Sequence, residues 1–235
     1  MQSIQERLNS RSAGRILDVA TGQGAALKFL IDSSKDYESA VGVDIADRLI
    51  EAAKSQFDDP RITFQKQSAE DLQFVDNSFD TIIINYSLHH LRDPKKALSE
   101  IKRVLKPGGM LIISEMHQTS PTPLQLTQIM WHHLGSEIDQ IIGVCHNQTF
   151  ERDELIRLVE ESGLVVQEIV KEDDNKPVSK EQMEQAVDIL RQRLEQLAGH
   201  PRHEEMKVRV DEIRERLDTI GCALPPALVF LCTKA

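Results

Sequence analysis

Asp18-Val19-Ala20-Thr21-Gly22-Gln23-Gly24 follows the apolar run Arg15-Ile16-Leu17 and leads into Ala25-Ala26-Leu27-Lys28-Phe29-Leu30-Ile31, whose apolar residues recur at helical spacing. The stretch therefore reads as a strand, a tight turn and the start of a helix. Glycines at such a turn let the backbone approach a ligand, and the helix N-terminus offers unpaired N–H groups to an anion. A glycine pair alone is weak evidence, because many turns in alternating strand and helix folds need glycine only to turn. The next apolar run, Ala40-Val41-Gly42-Val43-Asp44-Ile45, ends in a carboxylate. Asp44 lies about 20 residues beyond the glycines, the place from which an acidic side chain accepts hydrogen bonds from both hydroxyls of a ribose. Together the two signals indicate an adenosine-containing ligand. The simpler alternative, Asp44 as the N-cap of the following helix, stands beside it.

Working outward, the alternation of strands and helices continues. A helix carrying Leu49, Ile50, Ala52 and Ala53 leads to a third strand, Ile62-Thr63-Phe64-Gln65-Lys66. Phe79-Asp80-Thr81-Ile82-Ile83-Ile84-Asn85 is nearly all apolar, as a central strand covered on both faces should be. A helix is predicted from Pro94 to Leu105, stopping at the turn Lys106-Pro107-Gly108-Gly109, and a fifth strand over Met110–Glu115. Phe150 to Glu161 makes a further helix with Gly163 as its C′ residue, Leu164–Val170 a sixth strand, and Ala227–Cys232 a last one. Strands that alternate with helices in this way feed a parallel sheet.

Two segments stand outside the alternation. Residues 116–149 contain Pro121, Pro123, Trp131 and four histidines, and read as a lid-like insertion. Its apolar residues Ile129, Met130, Trp131, Leu134, Ile138, Ile141 and Ile142 suit an apolar acceptor, and equally an ordinary amphipathic helix. Residues 175–225 open with a capping-box pattern, Ser179 and Gln182, after which Met183, Val187, Leu190, Leu194 and Leu197 recur in helical steps. After Gly199-His200-Pro201 the steps repeat at Met206, Val210, Ile213, Leu217 and Ile220. This pattern predicts an antiparallel helical hairpin whose seams bury each other and some sheet edge. A lid or a contact between copies is the sharper alternative, the latter implying a homodimer through residues 180–220.

The chain has 235 residues, with 28 Lys and Arg against 38 Asp and Glu, a formal net charge of −10. An acidic balance repels phosphate backbones, so a nucleic-acid partner is not expected. No stretch reaches the roughly 18 apolar residues of a membrane span, and Met1 to Arg7 lack the apolar core of a signal peptide. Cys145, Cys222 and Cys232 are few and unpaired in spacing, which fits a reducing, cytoplasmic compartment. The length and composition suit one large α/β domain over residues 1–235 carrying insertions.

The sequence resembles the class I S-adenosylmethionine-dependent methyltransferases, most closely the small-molecule and quinone-type group. The resemblance rests on Ile16 to Gly24, Val41 to Ile45, Ala69-Glu70-Asp71-Leu72 ahead of Asn77-Ser78-Phe79-Asp80, and Arg103 to Gly109, in that order. It covers residues 12–118, with residues 149–171 and the terminal strand matching in outline. It implies a doubly wound, Rossmann-like seven-stranded sheet in the order 3-2-1-4-5-7-6, with the last strand antiparallel and the helical hairpin inserted between strands 6 and 7. It also implies S-adenosylmethionine as cofactor. Carried over by position, Asp18, Ala20, Gly22 and Gly24 hold its amino-acid end, Asp44 the ribose and Ile45 one adenine face. Ser68, Ala69 and Glu70 lie by the adenine edge, and Asn85 and Tyr86 by the methionine part. Ser68 departs from the aspartate common there in the family, and Glu70 or Asp71 is a substitute acceptor.

Methyl transfer from a sulfonium is an in-line displacement in which alignment supplies most of the acceleration, so a base is needed only where the acceptor must lose a proton. His89, His90, His117, His132, His133 and His146 are the candidates, and His117 ranks first because it follows the C-terminal end of the fifth strand. Glu115, beside it, is a candidate acidic ligand or base, and reads more simply as a solvated strand-end carboxylate. No metal is expected, since His132-His133 and Cys145-His146 are sequence neighbours that point apart on a helix. Two other functions compete with transfer to a small-molecule acceptor: a non-catalytic cofactor-binding regulator or assembly subunit, and a nicotinamide-dependent oxidoreductase. Leu27, where a dinucleotide fingerprint prefers Gly or Ala, speaks against the latter.

Overall fold

In a computed structural model of the chain, residue 6 and residues 8–172 and 175–235 are described, so the N-terminal stretch read above lies almost wholly outside them. Seven strands form one mixed sheet in the order β3-β2-β1-β4-β5-β7-β6, the order expected. They are β1 (Arg15–Val19), β2 (Ser39–Asp44), β3 (Ile62–Lys66), β4 (Phe79–Asn85), β5 (Leu105–Met116), β6 (Val165–Glu172) and β7 (Ala227–Thr233). The helices are α1 (Ala25–Ser33), α2 (Asp47–Lys54), α3 (Pro94–Val104), α4 (Pro123–Ile141), α5 (Arg152–Glu161), α6 (Lys180–Glu195) and α7 (His203–Thr219).

The central strands run parallel. Leu17 pairs with Val41 on one side and with Ile82 on the other, so β1 lies between β2 and β4. Ile16, Leu17, Val19, Ile82 and Ile84 are fully buried, consistent with a strand pair covered on both faces. α3 shows how sequence sets an element. Asp93 accepts from the Lys96 N–H at 2.9 Å and Pro94 occupies the first turn, while Ala97, Leu98, Ile101 and Val104 form the buried face.

The helix predicted to end at Leu105 ends one residue earlier, because Leu105 already pairs with Phe79 as the first residue of β5. Thr81 next pairs with Met110, so Lys106–Gly109 leave the ladder as a bulged loop, the turn that the Pro-Gly-Gly signature indicated. Gly108 takes φ +69 there and donates its N–H to the Lys234 carbonyl at 2.9 Å.

Two compact units divide the chain: residues up to Glu115 with Ile156–Val170 and Leu228–Ala235, and Met116–Leu155 with Lys171–Ala227. In the second unit the hairpin forms as expected, with Met183, Val187, Leu190 and Leu194 buried along α6 and Met206, Val210, Ile213 and Leu217 along α7. Val187, Leu190, Leu194, Met206, Val210 and Ile213 cluster with Leu134 and Ile138 of α4. The hairpin seams thus close on the long helix of the 116–149 segment, and Met130, Trp131 and Ile141 pack against the same cluster, while Ile142 stays exposed. Thr122 and Gln125 form a complete capping box at the start of α4, a signal absent from the reading of the sequence.

Candidate cofactor pocket

Asp18 sits at the C-terminal end of β1 with its side chain fully buried. Its Oδ2 accepts from the Thr21 hydroxyl at 2.6 Å and from the Leu27 N–H at 3.1 Å, which ties the strand end to the first turn of α1. Oδ1 is buried and has no hydrogen-bond partner among the described residues. Burial, opposed by those two bonds, pushes the Asp18 carboxyl up to about 7.

The turn beyond it is held in left-handed backbone: Ala20 at φ +55, Gly22 at +55 and Gly24 at +87. The two glycines are needed for different reasons. A Cβ on Gly24 would stand 2.6 Å from the Phe57 ring, whereas one on Gly22 would meet nothing within 4 Å. Gly24 is therefore a packing glycine, and Gly22 borders open space where a ligand can approach the backbone. Gly42, which the reading of the sequence passed over, is equally constrained, since its Cβ would press on Phe64 and the Thr21 hydroxyl.

Asp44 at the end of β2 accepts from the Gly22 N–H at 3.0 Å through Oδ2 and from the Ala46 N–H at 2.9 Å through Oδ1. It therefore braces the glycine turn against the β2–α2 connection. The N-cap of α2 is Ala46, not Asp44. Each carboxylate oxygen keeps a second lone pair for a ligand hydroxyl. Beside it Ile45 is 67% exposed, a large apolar side chain without cover at a strand end.

Ser68 and Asp71 bridge one another, and the Ser68 hydroxyl accepts from the Glu70 N–H at 3.2 Å. Ala69 is buried between them. Oε1 of Glu70 accepts from the Arg92 and Asp93 N–H groups at 2.8 and 3.0 Å, so this carboxylate restrains the approach to α3. Asn85 ends β4 opposite Ser114, and Tyr86 follows at φ +47 with its N–H on the Ser114 carbonyl at 2.7 Å.

The expected solvated Glu115 is instead completely buried. Its Oε2 accepts from the Leu88 N–H at 2.7 Å and its Oε1 lies 2.9 Å from Nδ1 of His89, a ring itself buried. A turn of 3-10 helix, Leu88–His90, is thereby pinned to the end of β5. A donor at Nδ1 facing the carboxylate leaves Nε2 as the acceptor nitrogen of the ring. His117 belongs to the second unit; its ring Nδ1 accepts from the Thr119 N–H at 3.3 Å and its own N–H bonds the Pro226 carbonyl. The pairing of His89 with Glu115 was missed because 26 residues separate them, and only strand order β4-β5 brings them together.

Residues 17–113 match the family described as methyltransferase domain. A demethylmenaquinone methyltransferase of Clavibacter sepedonicus is 38% identical over 111 residues, 47% of this chain and 44% of that protein. The ubiquinone/menaquinone biosynthesis C-methyltransferase UbiE of Geotalea daltonii is 33% identical over 134 residues, 55% of this chain and 56% of its own length. The chain thus spans about half the length of the curated relatives it matches. The crystal structure of YcgJ from Bacillus subtilis shares the fold, with a TM-score of 0.67 at 23% identity over 99% of this chain and 97% of that one.

Proposed function

We propose that residues 17–113, which match the family described as methyltransferase domain, form a class I S-adenosylmethionine-dependent methyltransferase domain, and that the protein transfers a methyl group from S-adenosylmethionine to a small-molecule acceptor. The unpartnered, buried Oδ1 of Asp18 at the mouth of the glycine turn carries this conclusion, since a buried carboxylate oxygen without a donor is costly unless a ligand supplies one. Bound at this turn, the cofactor supplies an electrophilic methyl group on a sulfonium. Asp18, with the backbone of Ala20, Gly22 and Gly24, holds the amino-acid end. Asp44 takes the ribose hydroxyls, Ile45 covers one adenine face, Ser68, Ala69 and Glu70 border the adenine edge, and Asn85 and Tyr86 line the methionine part.

The named relatives make a quinone-type acceptor the first class to screen. In its hydroquinone form such an acceptor loses a hydroxyl proton as its ring carbon attacks the methyl group, and the ring C–H proton leaves afterwards to restore the aromatic ring and the hydroxyl; the base assigned to the first step is His89, oriented by Glu115 within the same unit as the glycine turn. His117, the candidate from sequence, lies in the other unit. The chain is read as one methyltransferase domain with insertions at 116–149 and 175–225, the insertions governing acceptor choice. Cytoplasmic placement is supported by free Cys145, Cys222 and Cys232; no helix among the described residues is long and apolar enough to cross a membrane. A homodimer through the hairpin would use its outer face, where Ile189 and Val208 are exposed, since the seams are already filled. Light scattering of the full chain tests it: twice the monomer mass supports the contact and the monomer mass rejects it.

Calorimetric titration with S-adenosylmethionine, S-adenosylhomocysteine and NAD tests the cofactor. Both sulfur ligands should bind and NAD should not. Asp44→Ala should weaken them by about 2 kcal/mol, some thirtyfold, while folding as judged by circular dichroism is retained. Binding of NAD alone would overturn the proposal.

A further inference from the structure

The second unit contains a pair of histidines to which the proposed methyl transfer assigns no role. His132, on α4, and His146, in the loop after it, place their Nε2 atoms 3.0 Å apart. The rings meet nearly edge to face, 4.7 Å between centroids. Behind His146, Nδ1 lies 2.7 Å from Oδ2 of Asp139, and the other oxygen of that carboxylate is ion-paired with Arg193 of α6. The Gln140 side chain donates to the His146 carbonyl at 2.7 Å and fixes the loop. Both histidines and Asp139 are buried. The two histidines border a cavity of about 50 Å³, also lined by Trp131, Gly135 and Arg193, large enough for one or two waters.

We propose that His132 and His146 form a binding site for a zinc-type divalent transition ion, with Asp139 as the carboxylate that orients His146. The geometry favours it on three counts. Two Nε2 atoms that both ligate a tetrahedral zinc at about 2.0–2.1 Å lie about 3.3 Å apart, a few tenths of an ångström from the separation present. A ring nitrogen tied through Nδ1 to a carboxylate is the usual arrangement behind a metal-binding imidazole, because it fixes the tautomer that leaves Nε2 as ligand. Imidazole suits zinc, copper and nickel, and the cavity admits water to further coordination positions. Arg193 neutralises Asp139, so the ion enters a site without excess negative charge, and an anionic water-derived or exogenous ligand is favoured beside the guanidinium. The sequence concealed this site because it paired His132 with His133 and His146 with Cys145; the residues that meet are 14 apart.

The probe is Zn²⁺ alone, titrated calorimetrically into the chelator-treated full chain without S-adenosylmethionine, so the result is independent of the methyl-transfer assignment. Wild type should bind one equivalent. His132→Gln and His146→Gln should lose it, and Asp139→Asn should bind it 10- to 100-fold more weakly. His200→Gln and Cys145→Ser should bind as wild type does, which separates this site from scattered surface ligands. Unchanged stoichiometry and affinity in either His132→Gln or His146→Gln, or no binding by wild type, overturns the proposal. Should those variants fail to fold, zinc-edge X-ray absorption of the loaded wild type decides: two imidazoles in the coordination shell support the site, and fewer overturn it.

Discussion

At Asp18 one carboxyl group links burial to ligand binding. Because burial raises it to about 7 while the unfolded chain keeps an ordinary carboxylate value, the folded apo protein binds the proton more tightly. Its stabilising contribution is complete below about pH 4 and is lost as pH rises through 7. Binding of a ligand ammonium has the opposite sign, since it needs the ionised form. Affinity for S-adenosylhomocysteine is therefore expected to rise from pH 6 to 8, by up to about tenfold per unit below pH 7, and Asp18→Asn should flatten that slope in calorimetry. The two turn glycines should separate in the same assay. Gly24→Ala meets Phe57 and should lower the melting temperature, whereas Gly22→Ala should cost about 1–2 kcal/mol of strain and chiefly weaken cofactor binding. At this scale the sequence marked out Asp18, Gly22 and Asp44 as residues of one strand-end turn, since all three belong to local motifs, and the hydrogen bonds of that turn join Asp44 to Gly22. It could not reveal that Glu115 is buried against His89, because a contact made by strand pairing leaves no local pattern.

Among the elements, the helical hairpin shows what periodicity can and cannot state. The spacing of Met183 to Leu194 and of Met206 to Leu217 identified the buried residues and their mutual packing, yet it did not name α4 as a further partner. Periodicity marks a face but carries no address. Polar contacts supply part of the address here. Glu137 of α4 receives both terminal nitrogens of Arg209 at 2.8 Å and one of Arg202 at 2.7 Å. These guanidiniums, Arg209 first, hold the Glu137 carboxyl below its usual range, so its contribution is present at neutral pH and is lost as pH falls through the carboxylate range. Glu137→Gln should cost about 1 kcal/mol at pH 7, and its difference in stability from wild type should shrink as pH falls through the acid range. Leu190→Ala, which empties the seam itself, should cost about 2–5 kcal/mol by denaturant unfolding.

For the molecule as a whole, hydrogen exchange with and without S-adenosylhomocysteine should show added protection in residues 18–24, 44–46 and 85–90, with little change along α6 and α7. Protection confined to the hairpin would contradict the assignment of the pocket. The order of the sheet was legible because each crossover left its apolar run and turn in the sequence, but the division into two units was not. The chain leaves the first unit and returns twice, crossing between Glu115 and Met116, Leu155 and Ile156, Val170 and Lys171, and Ala227 and Leu228. Each crossing falls inside or at the edge of a strand or helix and not in a free linker. With acceptor choice assigned to the insertions as proposed above, this threading bears on how that choice can diversify by recombination. A transplant of residues 116–149 alone would strand Leu134 and Ile138 from the hairpin residues that pack against them. New specificities in this lineage are therefore expected to arise by exchange of two separated gene segments together, or by point changes within them, and not by the shuffling of a single cassette.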